Sequence, residues 1–419
     1  MEQPQRKILI VEDSRMVGEL LSTQIQHQLG WSVEHAVSYA EAEIKAGDGP
    51  YAAAVVDINL PDAEPGKALD SMLHRGIPTI AFTADLSDPL REDLWSRGIV
   101  DYVLKEGKHS LAYIASLLGR LERNPAIAVL VVDDSATVRA YLRRLLEIHK
   151  YRVIEAEGGE EALAALHADP GIRLVLLDFV MPGMGGDALA REIRVRFPTR
   201  GLSVIGVSAQ GNSRMSARIL KSGANDFLSK PFTAEELYCR VSQNLELIER
   251  FETIELMAVT DPLTGLYNRR YFMEAGRQRH AECLRHNTSL ALAEADADLF
   301  KRVNDFHGHA AGDAVLKGIA SALKARFRTS DVVARLGGEE FAVLLPGISA
   351  ENARRVIEDV RVRIERTHAT FGGKDIPATV SFGLTMKPGD NFEEMLHEAD
   401  RNLYRAKEAG RNRVVGDET

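Results

Sequence analysis

The chain has 419 residues, 45% hydrophobic and 27% charged, with a formal net charge of -9 and only two cysteines. The length predicts about three domains, each able to bury a normal core. The acidic balance argues against a general nucleic-acid binder, and Cys239 and Cys283 are too far apart for a disulfide framework or a cysteine metal knuckle.

The N-terminal stretch MEQPQRKILIVEDS carries too short an apolar run for a secretory signal or a membrane span. No later run reaches spanning length, so a cytoplasmic protein without membrane insertion is expected. The first elements then occur twice. KILIVEDSRMV at 7–17 is echoed by AVLVVDDSATV at 128–138, and AAVVDINLP at 53–61 by RLVLLDFVMP at 173–182. Asp13 and Asp57 meet Asp134 and Asp178 at an offset of 121, and Thr83 and Lys105 meet Ser208 and Lys230 at 125. One duplication of domain-sized units is not a solenoid. Each copy alternates short apolar runs with amphipathic stretches, predicting two α/β domains, doubly wound around a parallel sheet.

Sites in such sheets form beyond the carboxyl ends of strands. Glu12 and Asp13 follow ILIV, Asp57 ends AAAVV, Thr83 ends TIAF and Lys105 ends YVL. The second copy supplies Asp133, Asp134, Asp178, Ser208 and Lys230. Three adjacent carboxylates repel unless a cation sits among them, and oxygen ligands suit Mg2+. A carboxylate nucleophile facing a metal, a Lys and a hydroxyl is equipped to accept a phosphoryl group. Solvated strand-end caps would explain one such acid, not five matched positions twice.

These residues resemble the response-regulator receiver domain over about 5–122 and 126–245, with domain bounds expected at 1–123 and 124–245. The resemblance implies a flavodoxin-like fold and phosphorylation of Asp57 and Asp178 by a histidine kinase or phosphotransfer protein. It also implies that the backbone of Asn59 and Val180 completes the metal sites, and that Tyr102 and Phe227 are switch aromatics, with plain core packing as the rival reading. The second copy keeps Lys230-Pro231, where the family has a cis bond, while the first reads Lys105-Glu106-Gly107. The first also has PDAEPG where the second has the more usual PGMGG. Asp178 is therefore the expected main acceptor, and the first copy an adaptor or a target of a different donor.

Next comes TAEELYCRVSQNLELIERFETIELMAVTD. Thr233 is placed to cap a helix whose first turn holds Glu235 and Glu236. Leu237, Val241, Leu245 and Ile248 form one apolar stripe. The first half is expected to cover the second sheet. Residues 246–258, with no sheet left to cover, are expected to form a two-chain stalk, stopped by Asp261-Pro262.

The remaining 259–419 carries DPLTGLYNRRYF, SLALAEADADLFKRVNDFHGHAAGD, ARLGGEEFAVLLP and ADRNLYRAKEAGRNRV in order. Strand 290–296 alternates Leu290, Leu292, Glu294 and Asp296 on one face with alanines on the other. Gly337 and Gly338 let backbone approach phosphates, and Glu339 can join Asp296 around Mg2+ or Mn2+. The four blocks resemble the GGDEF diguanylate cyclase domain. That implies an α+β, palm-like fold and condensation of two GTP into cyclic di-GMP with release of two pyrophosphates.

By the same resemblance the metal ligands are Asp296, the Ala297 carbonyl, Glu339 and Glu340, with Glu339 also the candidate base and Lys301 a catalytic phosphate contact. Asn304 and Asp313 match the guanine-reading pair, Lys407 and Arg411 match phosphate positions, and His309 lies on the substrate side. Asp313 also reads as a helix N-cap, and Lys407 and Arg411 as solvated helix-end cations. Arg328 and Asp331 of RTSD, with Arg355, match an inhibitory product site. Glu294 departs from the pattern, where a third carboxylate would raise a neighbour's pKa or change metal preference, and ALAEADAD predicts a thinly packed strand. The expected function is a phosphorylation-regulated homodimeric cyclase. A catalytically silent cyclic di-GMP receptor and a phosphate-sink pair whose output only dimerises are the alternatives.

Overall fold

The structure, a computed structural model, describes residues 6–84, 87–197, 201–209, 213–328 and 330–417, so Thr329 of RTSD lies outside the described residues. The chain divides into two compact units, Met1–Glu252 and Thr253–Thr419.

The first unit begins with β1 (Lys7–Val11), α1 (Arg15–Leu29), β2 (Ser32–Ala36), α2 (Tyr39–Gly47), β3 (Ala53–Asp57), α3 (Lys67–His74), β4 (Thr79–Thr83), α4 (Asp88–Arg97), β5 (Asp101–Leu104) and α5 (Lys108–Arg123). Its sheet is parallel in the order β2-β1-β3-β4-β5. The second copy follows as β6 (Ala128–Val132), α6 (Ala136–Ile148), β7 (Arg152–Ala156), α7 (Gly159–Ala168), β8 (Ile172–Asp178), α8 (Gly186–Arg196), β9 (Ser203–Ser208), α9 (Ser213–Lys221), β10 (Asp226–Ser229) and α10 (Ala234–Val259). Its order, β10-β9-β8-β6-β7, is the same topology. Helices cover both faces, so β3, β4 and β6 are buried throughout and carry continuous apolar runs, with Asp57, Thr79 and Thr83 at strand ends. Both duplicated folds are as expected.

The copies pack against each other rather than hanging as separate beads. Trp95 of α4 lies 5.4 Å from the Tyr238 ring of α10, which sits 3.7 Å from His149. Arg91 and the Tyr102 hydroxyl of the first copy both bond the Glu235 carboxylate of α10. His149 is 4% exposed, and burial pushes its imidazole down to about 3, Arg120 adding to the shift and a backbone bond with Val100 opposing it. The unfolded chain takes up that proton near pH 6.5 and the folded chain does not. Stability is therefore full above pH 6.5 and falls as pH drops below it, by up to about 1.4 kcal/mol per pH unit. His149→Phe keeps the ring stack without the proton. Thermal melts from pH 7.5 to 5 are expected to show a shallower acid loss for this variant than for the wild type, and parallel curves would contradict the assignment.

Thr233 caps α10 as expected, its Oγ1 accepting from Glu236 N at 3.1 Å. The stalk expectation needs correction. Leu237, Val241, Leu245 and Ile248 are all buried in the core of the second copy. Arg120, Arg123 and Arg173 hold Glu246, Glu249 and Glu252, so α10 stays docked about two turns beyond Leu245. A different row is exposed: Leu247 52%, Phe251 56%, Ile254 60% and Met257 72%. Its spacings of four, three and three place it on one exposed face of the helix.

The second unit contains β11 (Tyr267–Asn268), α11 (Arg269–His286), β12 (Leu290–Ala297), α12 (Phe300–His307), α13 (His309–Arg326), β13 (Val332–Gly337), β14 (Glu340–Pro346), α14 (Ala350–Arg366), β15 (Ala369–Phe371), β16 (Lys374–Ile376), β17 (Val380–Thr385), α15 (Phe392–Glu408) and β18 (Val414–Val415). The six-stranded sheet runs β11-β13-β14-β12-β17-β18, antiparallel inside and parallel at both outer pairs. The alternation on β12 divides two cores. Ala291, Ala293, Ala295 and Ala297 face Val315, Ile319, Ile357 and Val360 of α13 and α14. Leu290 and Leu292 face Phe272 of α11 and Phe392 of α15. The alanine strand is not thinly packed, because every one of these alanines is at most 2% exposed beneath larger helix side chains.

Candidate catalytic and phosphoacceptor sites

The parallel order brings the carboxyl ends of β1, β3, β4 and β5 together. Glu12, Asp13 and Asp57 each offer a carboxylate oxygen within 4.8 Å of the others, as do Asp133, Asp134 and Asp178. In the first site Lys105 Nζ lies 2.7 Å from both Glu12 and Asp57. In the second Lys230 Nζ lies 2.8 Å from Asp133 and 3.1 Å from Asp178. One oxygen of each acceptor is held by the backbone two residues on: Asn59 N donates to Asp57 at 3.0 Å and Val180 N to Asp178 at 3.1 Å. Thr83 and Ser208 end β4 and β9, adjoining Asp57 and Asp178 in register.

Burial raises the Glu12 carboxyl, with Lys105 opposing and Asp57 adding. Burial also raises Asp178, opposed by the Val180 amide and Lys230 and reinforced by Asp133. Three carboxylates against one ammonium leave net negative charge on a set of oxygen donors, which fits a hard divalent cation. The Lys230-Pro231 bond is cis as expected. The two switch aromatics diverge: Phe227 packs half-buried on its own core, while Tyr102 donates its hydroxyl to Glu235 on α10 at 3.1 Å.

In the second unit the β13–β14 hairpin places its turn beside the end of β12. Asp296 pairs with Glu340 in register, and Ala297 N donates to Glu339 O at 3.1 Å. Gly337 and Gly338 have φ of 152° and 51°, within the range that favours glycine. Asp296 is 9% exposed, and Lys407 Nζ lies 2.7 Å from it. Burial raises the Asp296 carboxyl, Lys407 opposes, and Glu339 and Glu340 raise it further. The donor set of Asp296 with the two glutamates at the turn thus fits a divalent ion that relieves their repulsion.

Glu294 does not act on Asp296 as expected. Its carboxyl lies in a pocket behind β12 with Arg269, Asp400 and Lys407, where burial pushes it up to about 8, Asp400 and Glu340 adding.

Lys301 and Asn304 lie on α12, and His309 and Asp313 on α13. Asp313 is not the expected N-cap, because α13 begins four residues earlier behind Gly308. The Asn304 Oδ1 atom is buried without a hydrogen-bond partner. A Cβ on Gly312 would stand 2.0 Å from that oxygen, so the glycine leaves room for the amide. Arg411 is exposed with a left-handed φ of 64° in the loop after α15. On the α13–β13 side, Arg328, Asp331 and Arg355 line one cavity of about 550 Å3 with Arg326. Arg328 N donates to Asp331 at 2.9 Å.

Sequence reasoning missed three supports. Arg335 donates to Gly338 O at 2.9 and 2.6 Å and bonds Asp261 at 3.1 Å, tying the hairpin to the DPLTG turn. Asp298 was visible two residues after Asp296, but nothing local marked its partners on β17 and the last loop. Asn412, in the same GRN triplet as Arg411, is held by Asp298, Arg361 and Glu365.

Comparison with known proteins agrees with this geometry. Residues 8–113 and 129–242 match the family "Response regulator receiver domain", and residues 258–413 match "Diguanylate cyclase, GGDEF domain". Response regulator PleD of Caulobacter vibrioides is 28% identical over 462 residues, covering 98% of this chain and 99% of its own. Diguanylate cyclase DgcP of Pseudomonas aeruginosa is 48% identical over 158 residues, which is 38% of this chain and 24% of that one. A crystal structure of a two-component system response regulator/GGDEF domain protein is 45% identical, with a TM-score of 0.53, covering 58% of this chain and 99% of that one. Among the described residues no helix is long and apolar enough to cross a membrane.

Proposed function

The chain belongs to the response-regulator receiver family and carries a diguanylate cyclase domain in a PleD-like order, and from that premise we propose that it is a homodimeric cyclase switched on by aspartyl phosphorylation. The observation that carries the catalytic half is Asp296, buried at the end of β12 opposite the Gly337-Gly338-Glu339-Glu340 turn. Divalent metal bound there, Mg2+ in this reading, supplies charge neutralisation of the triphosphate and a more acidic attacking hydroxyl. Asp296, Glu339, Glu340 and the Ala297 carbonyl hold it. Asp313 reads guanine by accepting from its N1 and N2 hydrogens, and Asn304 by donating to its acceptors. Lys301, Lys407 and Arg411 bind the triphosphate, and His309 flanks it.

The 3′-oxygen of one GTP attacks the α-phosphorus of the other, with Glu339 taking the proton and pyrophosphate leaving. The reciprocal step closes the ring and releases the second pyrophosphate. One domain holds one GTP, so two chains must face each other. The Leu247, Phe251, Ile254 and Met257 row supplies the dimer contact, which raises the local concentration of the paired cyclase domains. Arg328, Asp331 and Arg355 bind product and restrain the enzyme.

Phosphorylation acts first through Asp178, whose copy keeps the Lys230-Pro231 pair and the PGMGG loop that the first copy lacks. The first copy reaches the same helix through Tyr102 and Glu235. Turnover of GTP is measured with and without beryllofluoride. Activation is expected to be lost in Asp178→Asn and reduced in Asp57→Asn. Full activation of the Asp178 variant would move the switch to the first copy, and no activation of the wild type would remove it.

A further inference from the structure

Asp298 is a buried carboxylate that the mechanism above does not use. It is 9% exposed, beneath β17. Its Oδ1 accepts from Ser381 Oγ at 2.6 Å, and its Oδ2 accepts from Thr379 Oγ1 at 2.8 Å and from Asn412 N at 3.0 Å. Its own N donates to Thr379 O at 2.9 Å, so the carboxylate sits on a fixed piece of backbone. Two of its bonds reach β17 and the residue just before it. The third crosses to the loop after α15, and that is the bond a sheet staple would not need.

The loop so held is unusual. Gly410, Arg411 and Asn412 all have positive φ, at 111°, 64° and 46°. Two consecutive non-glycine residues in the left-handed region cost free energy and persist only where the surroundings hold them. The holding is visible. Asn412 Oδ1 accepts from Arg361 at 2.6 Å, and its Nδ2 donates to Glu365 at 2.8 Å. Arg411 N donates to Ala406 O at 3.0 Å and Arg413 O accepts from Phe382 N at 2.9 Å. Among these anchors Asp298 is the one that directly follows the catalytic strand, in the turn after β12 and two residues beyond Asp296.

We propose that Asp298 is a positioning residue for the triphosphate: by gripping the Asn412 amide it fixes the backbone that carries Arg411 beside the strand end that carries Asp296. The inference rests on the phosphate role assigned to Arg411 above. It pre-organises the Arg411 backbone, so the loop is not ordered anew at each binding event.

The test is a double-mutant cycle on the full-length protein, reading the affinity of a non-hydrolysable GTP analogue by calorimetry. Asp298→Ala and Arg411→Ala are each expected to weaken binding roughly tenfold, and the double variant to be no weaker than Arg411→Ala alone. In turnover, Asp298→Ala is expected to raise KM for GTP by about the same factor while kcat changes less than about threefold.

Penalties that multiply in the double variant would overturn the proposal, because Asp298 would then act independently of Arg411. Unchanged binding in Asp298→Ala beside weakened Arg411→Ala would also overturn it. Unchanged binding in Arg411→Ala would instead locate the failure in the phosphate reading. Should the alanine variant lose its cooperative melt, Asp298→Asn keeps the volume and an acceptor for Asn412 N. The same non-additivity is expected of it with a smaller penalty, and independence would be just as fatal.

Discussion

Glu339→Gln is expected to abolish cyclic di-GMP formation, lowering kcat roughly a thousandfold, as befits loss of a general base that also neutralises a metal. The substitution keeps volume and removes one charge. The Glu339 backbone oxygen still accepts from Ala297 N, so the hairpin stays in register with β12. The side chain is half-buried at a turn and outside both cores of its unit, so melting is expected to stay close to wild type. Its charge is one of the two that raise the Asp296 carboxyl, and removing it should make Asp296 more acidic while weakening the grip on a divalent ion. Turnover by chromatography and Mn2+ binding by paramagnetic resonance check the two halves. Full turnover in this variant would remove the assigned site.

Phe251→Glu combined with Ile254→Glu is the second large effect. Both side chains are more than half exposed on α10, so neither change opens a cavity. Two charges placed on the exposed row put like charges face to face when two chains meet. Activity is expected to fall more than tenfold, with a monomer by sedimentation even in beryllofluoride. The same pair changed to alanine should fall less, since it loses area without adding repulsion. A fully active glutamate variant would show that the chains meet elsewhere. Leu245 and Ile248, the residues a sequence stripe would nominate, are unsuitable for this test because they are buried in the second receiver.

That contrast shows what was legible and why. The two duplicated α/β units, both carboxylate clusters and the placing of the Gly337-Gly338 turn beside Asp296 were readable, because each rests on short-range patterning. Apolar runs end at acids, and a two-residue glycine turn carries a glutamate. The exposed face of α10 was not readable. Two apolar rows share α10, and choosing between them needs the knowledge of which one the receiver covers. The start of α13 was displaced because Gly308, with φ of 83°, ends one helix and begins the next without a capping side chain. Asp298, Arg335 and Asn412 were missed for a common reason. Their partners lie 83, 74 and 51 residues away, and no local period encodes such a bond.

The ion pair of Lys407 with Asp296 adds a consequence for the catalytic cycle. A divalent ion held by Asp296 would take over the charge balance that Lys407 supplies, and the ammonium would then be available to the phosphates, so ligand and metal should bind cooperatively.

In the proposed function, two chains, each with one nucleotide, build one active site under receiver control. Initial rate per chain is to be measured from nanomolar to micromolar protein, with and without beryllofluoride. Specific activity is expected to rise with concentration and to reach half its plateau at lower concentration when beryllofluoride is present. A specific activity independent of concentration, and unmoved by beryllofluoride, would contradict it.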